Sequence, residues 1–301
     1  MRPTLGPSLT VGSVGTPGLA TLLADATARL HAAGLRHARR EALQLYAAVA
    51  GLTVGAVWMA LERPVPAGLA SPFQRAVAGR IAGEPFAYAA GRVAFRTLDL
   101  RVDRRALIPR PETEGLVDLV LAHTARGGVA ADVGTGCGCL ALSLAVEGRC
   151  TRVVATERSP EAAVLARENV SRLAPPVPVD VRVGDLLEPL AGARYVVIVS
   201  NPPYLTDAEY AALDPAVRDY EPRGALASGP DGLAATRALL AGAAALLSEG
   251  GLLALEIDER RAPDVRCLAA AWGWRVTIHD DLFGRARYAL ARRACGGEGA
   301  A

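Results

Sequence analysis

The chain has 301 residues and a formal net charge of +2, and half of it is hydrophobic, so it is long enough for a large α/β unit with a smaller partner and for proper cores in both. All 33 basic residues are arginine, which excludes a Schiff-base lysine and the lysine of a phosphate-binding Walker loop. The small net charge argues against wrapping nucleic acid by bulk electrostatics, and no segment approaches the roughly 20 unbroken apolar residues of a membrane span.

Residues 1–17, rich in Gly and Pro, read as a disordered N-terminal tail that lacks the apolar stretch of a signal peptide. From Thr21 to about Ala82, "LLADATARL" and "ARREALQLYAAVAG" repeat apolar positions at 3–4 spacing, with punctuation at Gly51, Pro64 and Pro66. Residues 18–84 are therefore expected to form a small helical domain. The stretch "FAYAAGRVAFRTLDLRVDRRALI" alternates and carries aromatic and β-branched positions, so residues 85–110 are expected to be a β-hairpin linker.

After Pro111 strands and helices alternate. Strands are expected at 129–133, 152–156, 179–183, 195–200, 252–257, 275–279 and 286–291, with helices at 112–125, 140–147, 160–173, 232–247 and 262–271. Parallel neighbours require crossovers, so the pattern specifies an α/β fold of Rossmann-like type, a mostly parallel seven-stranded sheet covered on both faces, over residues 111–293. Residues 294–301 read as a flexible Gly/Ala end. Five scattered cysteines and four single histidines lack zinc spacing, so no metal is expected and a reducing, cytoplasmic setting fits.

In "VAADVGTGCGCLALSLA" three glycines, Gly134, Gly136 and Gly138, join a buried strand to a helix, where they permit positive φ and close approach of a ligand to the backbone. Glu157 ends the next strand, placed for the two hydroxyls of a ribose, and Asp185 with Leu186 follows the third strand, placed for an adenine amino group. The spacing is G-x-G-x-G rather than the G-x-G-x-x-G of dinucleotide sites. It suits S-adenosylmethionine, which has adenine and ribose but no pyrophosphate to anchor on a helix N-terminus; a nicotinamide cofactor stays open, against which no histidine or lysine is placed to manage a hydride-transfer proton. Gly134, Thr135, Gly136, Cys137 and Gly138 are the expected cradle for its methionine part, with Asn201 nearby.

The fourth strand runs into Asn201, Pro202, Pro203 and Tyr204. Two prolines fix φ near about −65° and remove N–H groups, which stiffens a loop that presents acceptors. The Asn201 side-chain oxygen and the Pro202 carbonyl can each accept from one hydrogen of a planar –NH2 group, while Tyr204 offers its ring face. An amide or aniline-type nitrogen is a poor nucleophile because its lone pair is delocalised. Two aligned acceptors orient it and stabilise the positive charge that develops as it is methylated. "NPPY" alone does not separate an amide from the N6 of a flipped-out adenine.

With "DVGTGCG", "NPPY" resembles the amino-methylating, S-adenosylmethionine-dependent methyltransferases. The wider series "GEPFAYAAGRVAF", "LIPRPETEGLVD", "ATERSPEAAVLARENV", "SNPPYL", "RDYEPRGALASGPDGL" and "GGLLALEI" is similar to the release-factor glutamine N5-methyltransferases from about residue 20 to residue 292. The resemblance implies methyl transfer to the glutamine of a Gly-Gly-Gln motif in a peptide-chain release factor, with the helical N-terminal domain docking that protein. A monomer with no stable nucleic-acid partner and no membrane association is expected. Arg110 and Glu112 of "RPETE" are read as shaping the mouth of the site, with a helix cap and interdomain ion pair as the alternative. Cys137 and Cys139 replace the usual small or hydroxylated residues of the glycine loop, and "LEIDERRAPDV" lacks the Gly and Gln that often follow this strand. Two alternatives stay open. One is a nucleic-acid adenine methyltransferase, against which residues 1–85 carry eight arginines and four acids with no aromatic-interleaved basic run. The other is a paralogue acting on another amide-bearing protein or product, or serving only as a binding module.

Overall fold

The computed structural model describes residues 18–124 and 126–293. The two expected tails, and Ala125 as the end of the expected 112–125 helix, lie outside the described residues. The chain divides into two compact units, with the boundary in sequence between Gly83 and Glu84.

The first unit is helical: α1 (Leu19–Ala32), α2 (Ala38–Ala50), α3 (Val54–Met59) and α4 (Ala70–Ile81). Gly51 ends α2 at φ +68°, a left-handed turn that favours glycine. Tyr46 and Phe73, both fully buried, meet edge to face with ring centroids 5.3 Å apart. Arg80 of α4 donates to Glu41 of α2 at 2.5 Å, an ion pair with less than a fifth of either side chain exposed.

The second unit opens with α5 (Phe86–Ala90), followed by the antiparallel hairpin β1 (Arg92–Phe95) and β2 (Leu98–Arg101). The expected hairpin linker therefore begins with a helical turn. Pro85 fixes its entry and Gly91, at φ +71°, ends it, and the Tyr88 hydroxyl donates to the Ala106 carbonyl at 2.6 Å.

The alternating portion follows as α6 (Pro111–His123), β3 (Val129–Val133), α7 (Cys139–Glu147), β4 (Arg152–Glu157), α8 (Pro160–Leu173), β5 (Val179–Val183) and β6 (Tyr195–Ser200). It continues with α9 (Asp207–Ala211), α10 (Pro215–Arg218), α11 (Ala234–Gly242), β7 (Leu247–Glu256), α12 (Ala262–Ala271), β8 (Trp274–Asp280) and β9 (Ala286–Arg293). Seven strands form one sheet in the order β5-β4-β3-β6-β7-β9-β8, parallel except at β9, which runs antiparallel to both neighbours. Successive residues point to opposite faces, so Val153, Val197 and Leu252 join Leu116, Leu142 and Leu165 in one core, while Val154, Ile198 and Leu253 join Leu239 and Val265 in the other. Each such side chain contributes about 1.5–3 kcal/mol on burial, which is why both faces need helices.

Two expected boundaries move by about five residues, the others by two at most. The long 232–247 helix stops at Gly242 and tightens into a 3₁₀ turn over Ala243–Ala245, and β7 starts early because Leu247 already pairs with Tyr195. The short α9 and α10 lie in the stretch after Tyr204, where no helix was expected. A capping box marks α9: Glu209 N–H donates to the Thr206 hydroxyl, and the Glu209 carboxylate accepts from the Thr206 N–H.

Candidate active site

Chain order reverses at β3: the crossover through α7 leads to β4 on one side, whereas β6 lies on the other. Open α/β sheets bind ligands at the carboxyl ends of strands beside such a switch point. Asp132 of β3 is in register with Val199 of β6, so Gly134 and Asn201 leave the sheet at the same level. A cavity of about 530 Å³ opens there, within the usual ligand-pocket range of about 300–1,000 Å³.

Gly134, Gly136 and Gly138 adopt φ of +74°, +57° and +92°. A Cβ added at Gly134 would meet no atom within 4 Å and would project into open space, so the loop leaves a cradle that a side chain would fill. Gly134 and Gly136 line the cavity with Glu157, Asp185, Leu186, Asn201 and Pro203. Thr135, Cys137, Gly138, Pro202 and Tyr204 are not among its lining residues. The Thr135 hydroxyl instead donates to Asp132 at 2.6 Å, and Cys137 is buried in the core, its carbonyl accepting from Asn169 at 2.9 Å.

Asp132 is fully buried, accepts from the Thr135 hydroxyl and from the Ala141 N–H, and keeps one oxygen without a partner; burial pushes its carboxyl up to about 7. Glu157 is half-buried. Its two oxygens accept from the Gly136 and Ser159 N–H groups, each at 2.9 Å, which fixes the carboxylate at the cavity wall and leaves further lone pairs free. Asp185 is exposed to the cavity, and Leu186, at φ +43°, holds its carbonyl on the Thr156 hydroxyl at 2.8 Å. Backbone amides and carboxylates are what a ligand with hydroxyl and amino groups but no phosphate requires, so these residues fit S-adenosylmethionine.

On the opposite wall, Asn201 Nδ2 donates to Thr113 Oγ1 at 3.0 Å, and the Thr113 hydroxyl donates to Glu256 at 2.7 Å. Thr113 and Glu256 are each only 1% exposed, and burial pushes the Glu256 carboxyl up to about 7. Tyr204 is half-buried rather than exposed; its hydroxyl is pushed up to about 12 by burial and then by the charge of Glu256. The loop is backed by the "ALASGPDGL" segment: Leu205 N–H donates to Leu226, Ser228 N–H donates to Leu205, and a Cβ on Gly232 would sit 2.4 Å from the Tyr204 carbonyl. Arg110 pairs with buried Glu221 at 2.6 Å, and Glu221 also accepts from the Ile108 N–H at 3.1 Å. That pair lies within the second unit, and Arg110 places no side-chain cap on α6. The Glu112 carbonyl accepts from the Tyr288 hydroxyl at 2.6 Å.

Thr113, Glu256, Glu221 and Asn169 were not singled out from the sequence. All four do sit inside quoted motifs, Thr113 in "RPETE", Glu221 in "RDYEPRG", Asn169 in "ATERSPEAAVLARENV" and Glu256 in "GGLLALEI", which is the available signal.

A switch-point cavity with a glycine cradle, two strand-end carboxylates and an Asn-Pro-Pro-Tyr loop defines an S-adenosylmethionine-dependent methyltransferase of the Rossmann-like class. Comparison with known proteins agrees. Residues 113–218 match the family model of the methyltransferase small domain, and residues 21–91 match that of the PrmC N-terminal domain. A crystal structure of a methyltransferase from Pyrococcus furiosus superposes with a TM-score of 0.50 at 25% identity, covering 66% of this chain and 89% of that one. The chain is 41% identical over 275 residues to the release factor glutamine methyltransferase of Moorella thermoacetica, covering 90% of this chain and 97% of that protein. It is 40% identical over 282 residues to the one from Deinococcus radiodurans, covering 92% and 99%. The chain belongs to the release factor glutamine methyltransferase family.

Proposed function

We propose that this enzyme methylates the side-chain amide N5 of the glutamine in the Gly-Gly-Gln tripeptide of a peptide-chain release factor. The observation that carries the reading is the commitment of Asn201 Nδ2 to Thr113, which turns the Asn201 carbonyl oxygen away as a free acceptor at the cavity wall. S-adenosylmethionine, when bound, supplies an electrophilic methyl group on a sulfonium.

Gly134 to Gly138 would hold its methionine part, through backbone where the side chains of Thr135 and Cys137 face inward, with Glu157 on the ribose and Asp185 with Leu186 at the adenine. Asn201 Oδ1 and the Pro202 carbonyl accept the two amide hydrogens of the glutamine, and Pro203 brings no competing N–H. This holds the nitrogen lone pair toward the methyl and stabilises the charge that grows as the C–N bond forms. Tyr204 covers the face of the amide plane. The nitrogen becomes acidic once methylated and then releases its proton, so no strong base is required beforehand. Consistent with this, no histidine lines the cavity.

Residues 18–84 are assigned to docking the release factor, residues 85–110 to the connection and 111–293 to catalysis. The first unit carries an open groove of about 850 Å³ lined by His31, Arg36, His37, Arg39 and Arg40, with Arg39 stacked 5.2 Å over half-exposed Trp58. Cation and aromatic side chains together suit a protein surface. The enzyme is proposed to act as a cytoplasmic monomer without stable nucleic-acid or membrane association; no helix among the described residues is long and apolar enough to cross a membrane.

Incubation with methyl-labelled S-adenosylmethionine and a release factor, its Gly-Gly-Gln Gln→Ala variant, or duplex DNA tests the reading. Label is expected on the unmodified release factor alone. Label on DNA, or equal label on the Gln→Ala variant, would overturn it.

A further inference from the structure

We infer that Thr113 and Glu256 are positioning residues that decide which end of the Asn201 amide faces the reacting nitrogen, and that this choice depends on the ionisation of Glu256. The inference rests on the proposed amide clamp and deepens it.

An asparagine presents either an acceptor or a donor, depending on a half-turn of its amide. The acceptor end alone is useful against an –NH2 group, because the donor end would set N–H against N–H. Asn201 cannot make the choice locally. Its neighbour Thr113 makes it: a hydroxyl has one hydrogen, and Glu256 Oε2, 2.7 Å away, takes it when ionised. Only a lone pair then faces Asn201, so the amide must turn Nδ2 to Thr113, at 3.0 Å, and Oδ1 to the substrate. Thr113 and Glu256 are each 1% exposed, so water does not replace either contact.

Protonation of Glu256 reverses the sequence. The neutral carboxyl donates to Thr113 Oγ1, the Thr113 hydrogen becomes free to donate to Asn201 Oδ1, and the amide turns its Nδ2 toward the substrate. The groups facing Glu256 are Arg110 and Glu112 at the start of α6, Arg287 and Tyr288 on β9, and Tyr204 beyond β6. Arg287 and Arg110 favour the ionised form, and Glu112 opposes it. With burial dominant, the carboxyl titrates at about 7, within the range where an enzyme works.

Two measurements on the full chain test this. The first is single-turnover methylation of the release factor, at saturating cofactor, across about pH 5 to 9 for wild type, Thr113→Ser, Thr113→Val and Glu256→Gln. The wild-type rate should fall on the acid side with an apparent pKa near that of Glu256. Thr113→Ser, which keeps the hydroxyl, should retain the limb and stay within about threefold, whereas Thr113→Val should lose roughly 10–100-fold in turnover with cofactor affinity unchanged, a part of what a lost clamp contact costs. Glu256→Gln should abolish the acid limb, which a purely structural role would not do.

The second is the pH titration of the Asn201 side-chain amide by ¹⁵N NMR without substrate. Its resonances should move with Glu256 in wild type and Thr113→Ser and stay fixed in Glu256→Gln. Asn201 resonances insensitive to pH while Glu256 titrates, or Thr113→Val with wild-type turnover and an unchanged limb, would overturn the inference. If wild type labels no release factor, the proposed substrate fails, while the NMR titration still decides the amide switch.

Discussion

The wall of the cavity that follows β3 and β4 is made of backbone amides and of carboxylates held at short range in sequence, none across more than 21 residues: Glu157 accepts from Gly136 and Ser159, and Asp132 from Thr135 and Ala141. The wall that follows β6 is built the other way. Asn201 reaches Thr113 across 88 residues, Thr113 reaches Glu256 across 143, and Arg110 reaches Glu221 across 111. A cofactor with a fixed shape needs a cradle of fixed shape, which a strand, a glycine turn and a helix supply locally. Aligning a weak nucleophile needs one acceptor pointed one way, and that takes several elements packed around it.

The contrast breaks if the two walls fail together. Asn201→Ala should cut turnover about 10²–10³-fold, or roughly 2.7–4 kcal/mol, while calorimetry shows little change in cofactor affinity. A loss within threefold in single-turnover kinetics would show the Asn-Pro-Pro-Tyr loop to be only a stiff turn. Glu157→Ala should do the reverse, weakening S-adenosylmethionine by roughly 1.5–3 kcal/mol, the range for hydrogen bonds to a charged group; unchanged calorimetric affinity would remove it from the site.

Arg110→Met sharpens the comparison on the long-range side. It leaves Glu221 buried beside an apolar side chain, and because Arg110 is itself about a third exposed, the cost should be nearer 1–2 kcal/mol than the 3–5 of a fully buried pair. Urea unfolding reads it, and an unchanged midpoint would mean that the Ile108 N–H alone satisfies Glu221.

The remaining effect is a slope with pH rather than a single loss. Glu256 titrates near 7 in the folded enzyme against an ordinary 4.5, so between those values the native state holds a proton that the unfolded chain has released. Its contribution to stability is full below about 4.5 and is lost as the pH rises through about 7, at no more than about 1.4 kcal/mol per pH unit. The stability difference between wild type and Glu256→Gln should therefore drift against wild type over that window and be flat above it. A difference independent of pH would place the Glu256 carboxyl at its ordinary value.

The glycine cradle and the stiff proline loop were legible because each is a local rule. Positive φ falls on glycine, two prolines lack N–H groups, and an acidic residue ending a parallel strand reaches the same sheet edge as its neighbours. The five-residue α5 was hidden by its position before a hairpin, although Pro85 and Gly91 bracket it, and α9 was hidden behind the prolines, although Thr206 and Glu209 carry its cap.

What the sequence alone determined was the alternation of strands and helices, the order of the cavity-lining residues Gly134, Glu157, Asp185 and Asn201 along it and the presence of an asparagine after β6. Which end of the Asn201 amide is offered was decided only in three dimensions. Threonine early in a helix reads as an ordinary first-turn residue, and a glutamate ending an apolar strand reads as its solvated end. Packing α6 against β7 buries both beside Asn201. Out of water, each donor must find its one acceptor, and the direction of the chain of hydrogen bonds follows.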